Sequence, residues 1–212
     1  MRTLAIDCAT EACSAALFED GVLIAGTFEI LGRGHAERLV PMIAQLPGRG
    51  RAARIAVAVG PGSFTGVRVG LAAARALAFA WDAELVGYPT LALVAAMARY
   101  ACGAQTPAPA LAVAMTGGHG EWFVARFAAD GTQSGADAAQ SPDSAAHDVT
   151  EPVVAGSQAA ALVELRGFGQ ALALLPDARC VHLLDPALLT PNPAPRYGRG
   201  PDARLPAGQL PA

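Results

Sequence analysis

Residues 60–66, Gly-Pro-Gly-Ser-Phe-Thr-Gly, hold the densest set of groups with chemical potential in the chain. A glycine-rich turn between an apolar strand and a helix can offer its N–H groups to a phosphate, and a serine within it can be a nucleophile. Residue types rule out the strong form of each reading. A phosphate-binding P-loop must finish on a lysine, but all 15 basic residues here are arginine. The same absence excludes a Schiff-base lysine and a lysine nucleophile. A nucleophile elbow needs glycine two residues either side of its serine, and Ser63 has Pro61 and Thr65 there. His35, His119, His147 and His182 are too far apart in sequence for a zinc pair one helical turn apart. Cys8, Cys13, Cys102 and Cys180 have no metal-type spacing and read as buried free thiols in a reducing compartment. What survives is a backbone cradle. Gly60, Gly62 and Gly66 permit close approach, Ser63 or Thr65 caps the next helix, and the turn either holds an anion or simply joins strand to helix.

The elements that must position this turn follow from periodicity. Residues 3–8, 13–18 and 22–29 alternate like strands, with the turn Glu19-Asp20-Gly21 before the third. Asp7 ends the first strand and Thr10 lies in the turn after it. Residues 35–46 place Leu39, Met42, Ile43 and Leu46 at i, i+3, i+4 and i+7, one face of a helix that Pro41 is expected to kink. Residues 54–59 read as an apolar, central strand, 65–81 as a helix, 84–87 as a strand and 90–101 as a helix. The order is β-β-β-α-β-α-β-α.

The helix after the turn has only two charges between Val67 and Trp81, Arg68 and Arg75, which share one face. Such a helix needs cover on both sides. Gly66, Gly70, Ala74 and Ala78 form a stripe of small residues at i+4 spacing, suited to a closely packed neighbouring helix, either 35–46 or a partner's.

The 212 residues suffice for one domain or two small lobes, and 53% hydrophobic content supports a sizeable core. A net charge of −3 argues against nucleic-acid binding by bulk electrostatics. No run reads as membrane-spanning, and Asp7 interrupts any signal-peptide core. Residues 103–110 read as a lobe boundary, 110–115 and 121–127 as a strand pair, and 153–156 as a strand with short helices either side of 174–176. Residues 129–152 read as irregular, and the proline-rich segment from Pro186 as an extended tail.

Three stretches, "LAIDCATEACSAALFEDG", "RGHAERLVPMI" and "GPGSFTGVRVGLAAARALA", resemble patterns of the TsaB (YeaZ) family in order and spacing; "GEWFVARF" and "APRYGRGPDARLP" match more loosely. The resemblance implies an α/β fold of the actin/Hsp70/sugar-kinase (ASKHA) type in two lobes, 1–103 and a reduced second lobe over 104–212. It implies a cytoplasmic, non-catalytic subunit in the synthesis of threonylcarbamoyladenosine next to the anticodon of tRNA. The expected partners are the catalytic paralogue TsaD, a TsaE-like ATPase, and a second copy when alone, with tRNA contacted only indirectly.

Pairing in the family uses the two helices here at 35–46 and 65–81. The implied interface is Arg38, Leu39, Met42, Ile43, Leu46, Arg68, Gly70, Ala74, Arg75 and Ala78. Asp7, Thr10, Gly62, Ser63, Thr65 and Gly66 are the implied nucleotide or anion contacts. No cofactor is expected for this chain by itself, which leaves Mg–ATP or Mg–ADP to the assembled complex. Departures from the family pattern are Cys8 for a common threonine, Thr116 for an aspartate of the second lobe, and Thr90 and Val94 where the catalytic paralogue has a His-x-x-x-His pair. Two enzymatic readings stay open on sequence: an ATP-dependent phosphotransferase with Asp7 holding the metal, and a glycoprotease-like hydrolase. Arg49, Arg51, Arg54, Arg196, Arg199 and Arg204 are candidate RNA contacts only as part of an assembly, with solvated surface arginines as the alternative.

Overall fold

The structure, a computed structural model, describes residues 1–103 and 108–198. Part of the expected lobe boundary (104–107), Arg199, Arg204 and the rest of the tail lie outside the described residues.

Three antiparallel strands open the chain: β1 (Arg2–Asp7), β2 (Ala12–Glu19) and β3 (Val22–Ile30). Asp20 and Gly21 both take positive φ between β2 and β3, as a two-residue hairpin turn demands. Helix α1 (His35–Ala44) follows, then β4 (Arg54–Ala58), α2 (Phe64–Trp81), β5 (Glu84–Tyr88) and α3 (Thr90–Cys102). This is the order read from periodicity. Pro41 is exposed and α1 continues through it to Ala44 as one helix. The second half contributes β6 (Leu111–Thr116), β7 (Trp122–Phe127), β8 (Ala138–Gln140), α4 (Pro142–Asp148), β9 (Val153–Ala155), α5 (Ala159–Arg166), β10 (Gln170–Leu172) and β11 (Thr190–Pro191).

The strands form two sheets, ordered β11-β5-β4-β1-β2-β3 and β10-β9-β6-β7-β8. In the first, β1 and β4 are parallel and register Leu4 with Ile55 and Ile6 with Val57. These residues face α1 and α2, because Gly50, at the end of the turn after α1, abuts Ile43 and Leu4, and Gly70 of α2 abuts Ile6 and Val57. Side chains alternate along a strand, so Asp7 points to the opposite face, where α3 and the 3-10 turn Ala178–Leu183 pack. Helix α3 is buried along most of its length because one face of the second sheet covers it too. Ala112, Ala114, Trp122 and Val124 on the other face of that sheet pack against α4 and α5. The layers are therefore α1/α2, first sheet, α3, second sheet, α4/α5. No helix among the described residues is long and apolar enough to cross a membrane.

Two expectations are corrected. Residues 129–152 are not irregular throughout, since β8 and α4 lie within them; Ser141 caps α4 by accepting from the Ser144 N–H (3.2 Å), and Pro142 fills its first turn. The segment after Pro186 does not simply trail away. Thr190 and Pro191 pair with Gly87 and Val86, Pro193 Cβ reaches Gly87, and the Arg196 N–H donates to Val59 O (2.7 Å). The tail thus extends the first sheet by one strand.

Candidate functional site

The glycine-rich turn crosses the β1–β2 turn at backbone contact. A Cβ at Gly62 would collide with the Ala9 carbonyl, and one at Gly66 with the Cys8 carbonyl. Ser63 N–H donates to Ala9 O (2.7 Å). Ser63 Oγ accepts from Gly66 N–H (3.2 Å) as the cap of α2, and Val67 N–H donates to Ser63 O (2.9 Å). Gly60 has φ +95°, and a Cβ there would stand 2.7 Å from Arg196 O. The glycines are accounted for by this packing. The N–H groups of Ser63 and Gly66 thus have partners inside the protein. Thr65 is exposed beside them.

Asp7 is 1% exposed. Its Oδ1 accepts from Ala9 N–H (2.9 Å) and its Oδ2 from Tyr88 Oη–H (3.3 Å), while Tyr88 also donates to Ile6 O (2.9 Å). Burial lifts its pKa from the ordinary 3.8 to about 7, against the opposing effect of these two hydrogen bonds. Asp177 adds a smaller upward push. Both carboxyl oxygens of Asp7 are thus engaged inside the protein.

A cleft of about 850 Å³ opens between the sheets, lined by Thr10, Gly62, Ser63, Phe64 and Arg68 on one side and by Met115 to His119 and Phe123 on the other. Thr10 Oγ1 accepts from Ala12 N–H (3.2 Å), which closes the β1–β2 turn. Thr116 lies on the far side of the cleft. Its hydroxyl is 3.1 Å from Ser157 Oγ and accepts from Gln158 Nε2–H (2.8 Å). No cluster of three His, Cys, Asp or Glu able to hold a metal occurs among the described residues. Thr90 and Val94 are fully buried in α3. The residues present do not fit a Mg–nucleotide or a hydrolytic metal. Arg68 instead stacks over Phe64, 3.3 Å from its ring centroid, with Tyr197 on the tail 4.9 Å away.

The interface residues expected on α1 and α2 need correction. Leu39, Met42, Ile43 and Leu46 are buried in the chain's own core, as are Gly70, Ala74 and Ala78. The small-residue stripe packs on the sheet: a Cβ at Gly70 would meet Cys8, Val57 and Ile6 at 3.6–3.9 Å. The three arginines have internal duties as well. Arg38 makes a bidentate ion pair with Glu29 (Nε–Oε2 2.7 Å), Arg75 donates to Pro193 O (2.8 Å), and Arg68 stacks as described. The opposite faces of the same helices are apolar and open. Val40 is 53% and Phe79 92% exposed, beside exposed Ala36, Ala44, Ala72, Ala76 and Ala80. Half-buried Val69, Ala73 and Leu77 lie on the same helix, as do exposed Thr65, Arg68 and Arg75.

Of the candidate RNA contacts, Arg54 pairs with Glu84 (2.7 Å) and Arg196 with Asp137 (3.4 Å), while Arg49 and Arg51 are exposed in the loop after α1.

Sequence reasoning missed Val40, Ala76 and Phe79 because it assigned the small-residue stripe to a partner. Phe79 was the available signal: a large aromatic at i+9 from Gly70 falls off the stripe and has nothing in the sheet to pack on.

The comparisons with known proteins agree with this architecture. The family model for TsaD, tRNA N6-adenosine threonylcarbamoyltransferase, matches residues 29–171. The Escherichia coli (strain K12) protein called tRNA threonylcarbamoyladenosine biosynthesis protein TsaB is 42% identical over 100 residues, which are 45% of this chain and 43% of that protein. The match therefore spans less than half of that relative's length. A structure of YeaZ from Pseudomonas aeruginosa superposes with a TM-score of 0.76 at 27% identity, covering 92% of this chain and 99% of that one. A second P. aeruginosa structure, described as an uncharacterized protein with similarity to peptidase YeaZ, gives 0.75 at 29% identity over 93% and 99%. The two-sheet α/β architecture is that of the YeaZ structures, and the chain belongs to the family described by the TsaD, tRNA N6-adenosine threonylcarbamoyltransferase, model.

Proposed function

We propose that the chain is a non-catalytic subunit that pairs with a TsaD-like paralogue for threonylcarbamoyl transfer to the adenosine next to the anticodon of tRNA. The observation that carries this reading is the outward face of two adjacent helices, where Val40 on α1 and Ala72, Ala76 and Phe79 on α2 are exposed apolar side chains. Helix pairs of this kind bury such faces against another helix pair, with aromatic anchors contributing most. The same face serves a second copy of the chain when the paralogue is absent. A TsaE-like ATPase joins the assembly in the cytoplasm, and this chain contacts tRNA only indirectly.

The buried Asp7, the hydroxyl at Thr116 and the full burial of Thr90 and Val94 support a subunit that needs no nucleotide or metal of its own. They count equally against the phosphotransferase and hydrolase readings. The test is complementation. In cells depleted of this protein, the wild-type gene restores threonylcarbamoyladenosine in bulk tRNA, whereas a variant carrying Ala76→Glu and Phe79→Glu, folded to the same thermal midpoint, leaves it depleted. Full restoration by that variant would remove the docking face from the account.

A further inference from the structure

The function proposed above does not use the cysteines, yet two of them are placed as a pair. The antiparallel register of β1 and β2 ends with Asp7 opposite Ser14, so the next step puts Cys8 opposite Cys13. Their Sγ atoms stand 3.5 Å apart, and both residues are buried. A disulfide needs about 2.05 Å between sulfurs that project from facing backbone positions. The pair is therefore one small side-chain movement from bonding distance. Cys102 and Cys180, the other two thiols, are only partly buried, and no sulfur partner is found for them among the described residues.

We infer that Cys8 and Cys13 form a reversible intrachain disulfide when the protein meets a small peroxide. With Cys8 as donor, its S–H stabilises the thiolate of Cys13; this hydrogen bond lowers the Cys13 pKa and raises that of Cys8. The Cys13 thiolate attacks one oxygen of hydrogen peroxide, the O–O bond breaks, and the released hydroxide takes up a proton to become water. The resulting sulfenic acid is attacked by the Cys8 sulfur, which expels the sulfenic oxygen as a second water and closes the S–S bond. In total, two thiols and one peroxide give one disulfide and two waters; the sulfurs lose two electrons and the peroxide gains them.

The position gives the modification a reach beyond itself. Cys8 precedes the cleft-lining residues Ala9 to Glu11, and its carbonyl and Cβ lie against Gly66 and Gly70 of α2. Tightening the Cys8–Cys13 pair acts on the cleft rim and the seat of α2 together.

The experiment uses the full chain carrying Cys102→Ser and Cys180→Ser. The folded protein is exposed to hydrogen peroxide, quenched with catalase, unfolded in guanidinium with iodoacetamide, and weighed by mass spectrometry. The inference predicts loss of two hydrogens with no alkylated cysteine, and return of both alkylation sites after dithiothreitol. A third substitution, Cys8→Thr, keeps a small side chain at the position and must abolish that two-hydrogen loss, with dimedone instead trapping a sulfenic acid on Cys13. Two alkylated cysteines after peroxide, or a disulfide-linked dimer on a non-reducing gel, would overturn it.

Discussion

Replacing Asp7 with asparagine isolates the electrostatic cost of the buried carboxyl. Asparagine preserves the shape, its carbonyl oxygen can accept from Ala9 N–H, and its amide can pair with Tyr88 Oη. Well below pH 3.8 the wild-type carboxyl is protonated in both folded and unfolded chains, so the substitution changes little. Between the ordinary 3.8 and the folded value of about 7, the unfolded chain has ionised while the folded one keeps its proton. Wild-type stability attributable to Asp7 therefore falls as pH rises through this window and is fully lost above it. Each pH unit costs ~1.4 kcal/mol, so the window costs about 4 kcal/mol in all. The assay is urea unfolding of both proteins at intervals from pH 4 to pH 8. With an m value of about 2–3 kcal/mol per molar, Asp7→Asn should unfold at a urea concentration higher by ~1–2 M at pH 8, the gap shrinking towards zero at pH 4. A gap that is constant across this range would refute the reasoning, and a variant that loses ground as pH rises would invert it.

Further expectations rest on the α2 turn. Gly70→Ala introduces a Cβ at ordinary contact distance inside a helix, so it should leave stability unchanged or raise it by up to ~1 kcal/mol in thermal unfolding. Gly66→Ala puts the same methyl into the Cys8 carbonyl and should cost at least ~2 kcal/mol by the same measurement. Ser63→Ala removes the cap that accepts from Gly66 N–H and should cost about 1 kcal/mol in urea unfolding.

The first three strands, three helices and two parallel strands were legible because local signals agreed: alternation, the Asp20-Gly21 turn, and the Leu39/Met42/Ile43 periodicity each pointed to one structure. The direction of the α2 stripe was not legible. A row of Gly and Ala suits a neighbouring helix and a crowded sheet equally well, and the crossing of Cys8 and Ala9 over Gly66 and Gly62 decides for the sheet. The same crossing takes up the Ser63 N–H, one donor of a motif that looks like a phosphate loop. β8 is only three residues long and has no periodicity to read, although Ser141-Pro142 was a usable start signal for α4. The pairing of Thr190 and Pro191 with β5 is purely tertiary, and nothing local in a proline-rich stretch announces it. Asp7 was picked out from its place at the end of β1, but its burial against Tyr88 depends on a residue 81 positions away.

The most direct test of the docking face measures pairing itself. Purified chain is mixed with a purified TsaD-like paralogue and followed by analytical ultracentrifugation, for the wild type, for Phe79→Glu and for Ala74→Glu. The account predicts a stable heterodimer for the wild type. It predicts a folded but unpaired chain for Phe79→Glu, whose side chain is 92% exposed, and a misfolded chain for Ala74→Glu, which is fully buried on the sheet. Undiminished pairing by Phe79→Glu, together with a folded, unpaired Ala74→Glu, would contradict it and place the partner on the stripe that faces inward here.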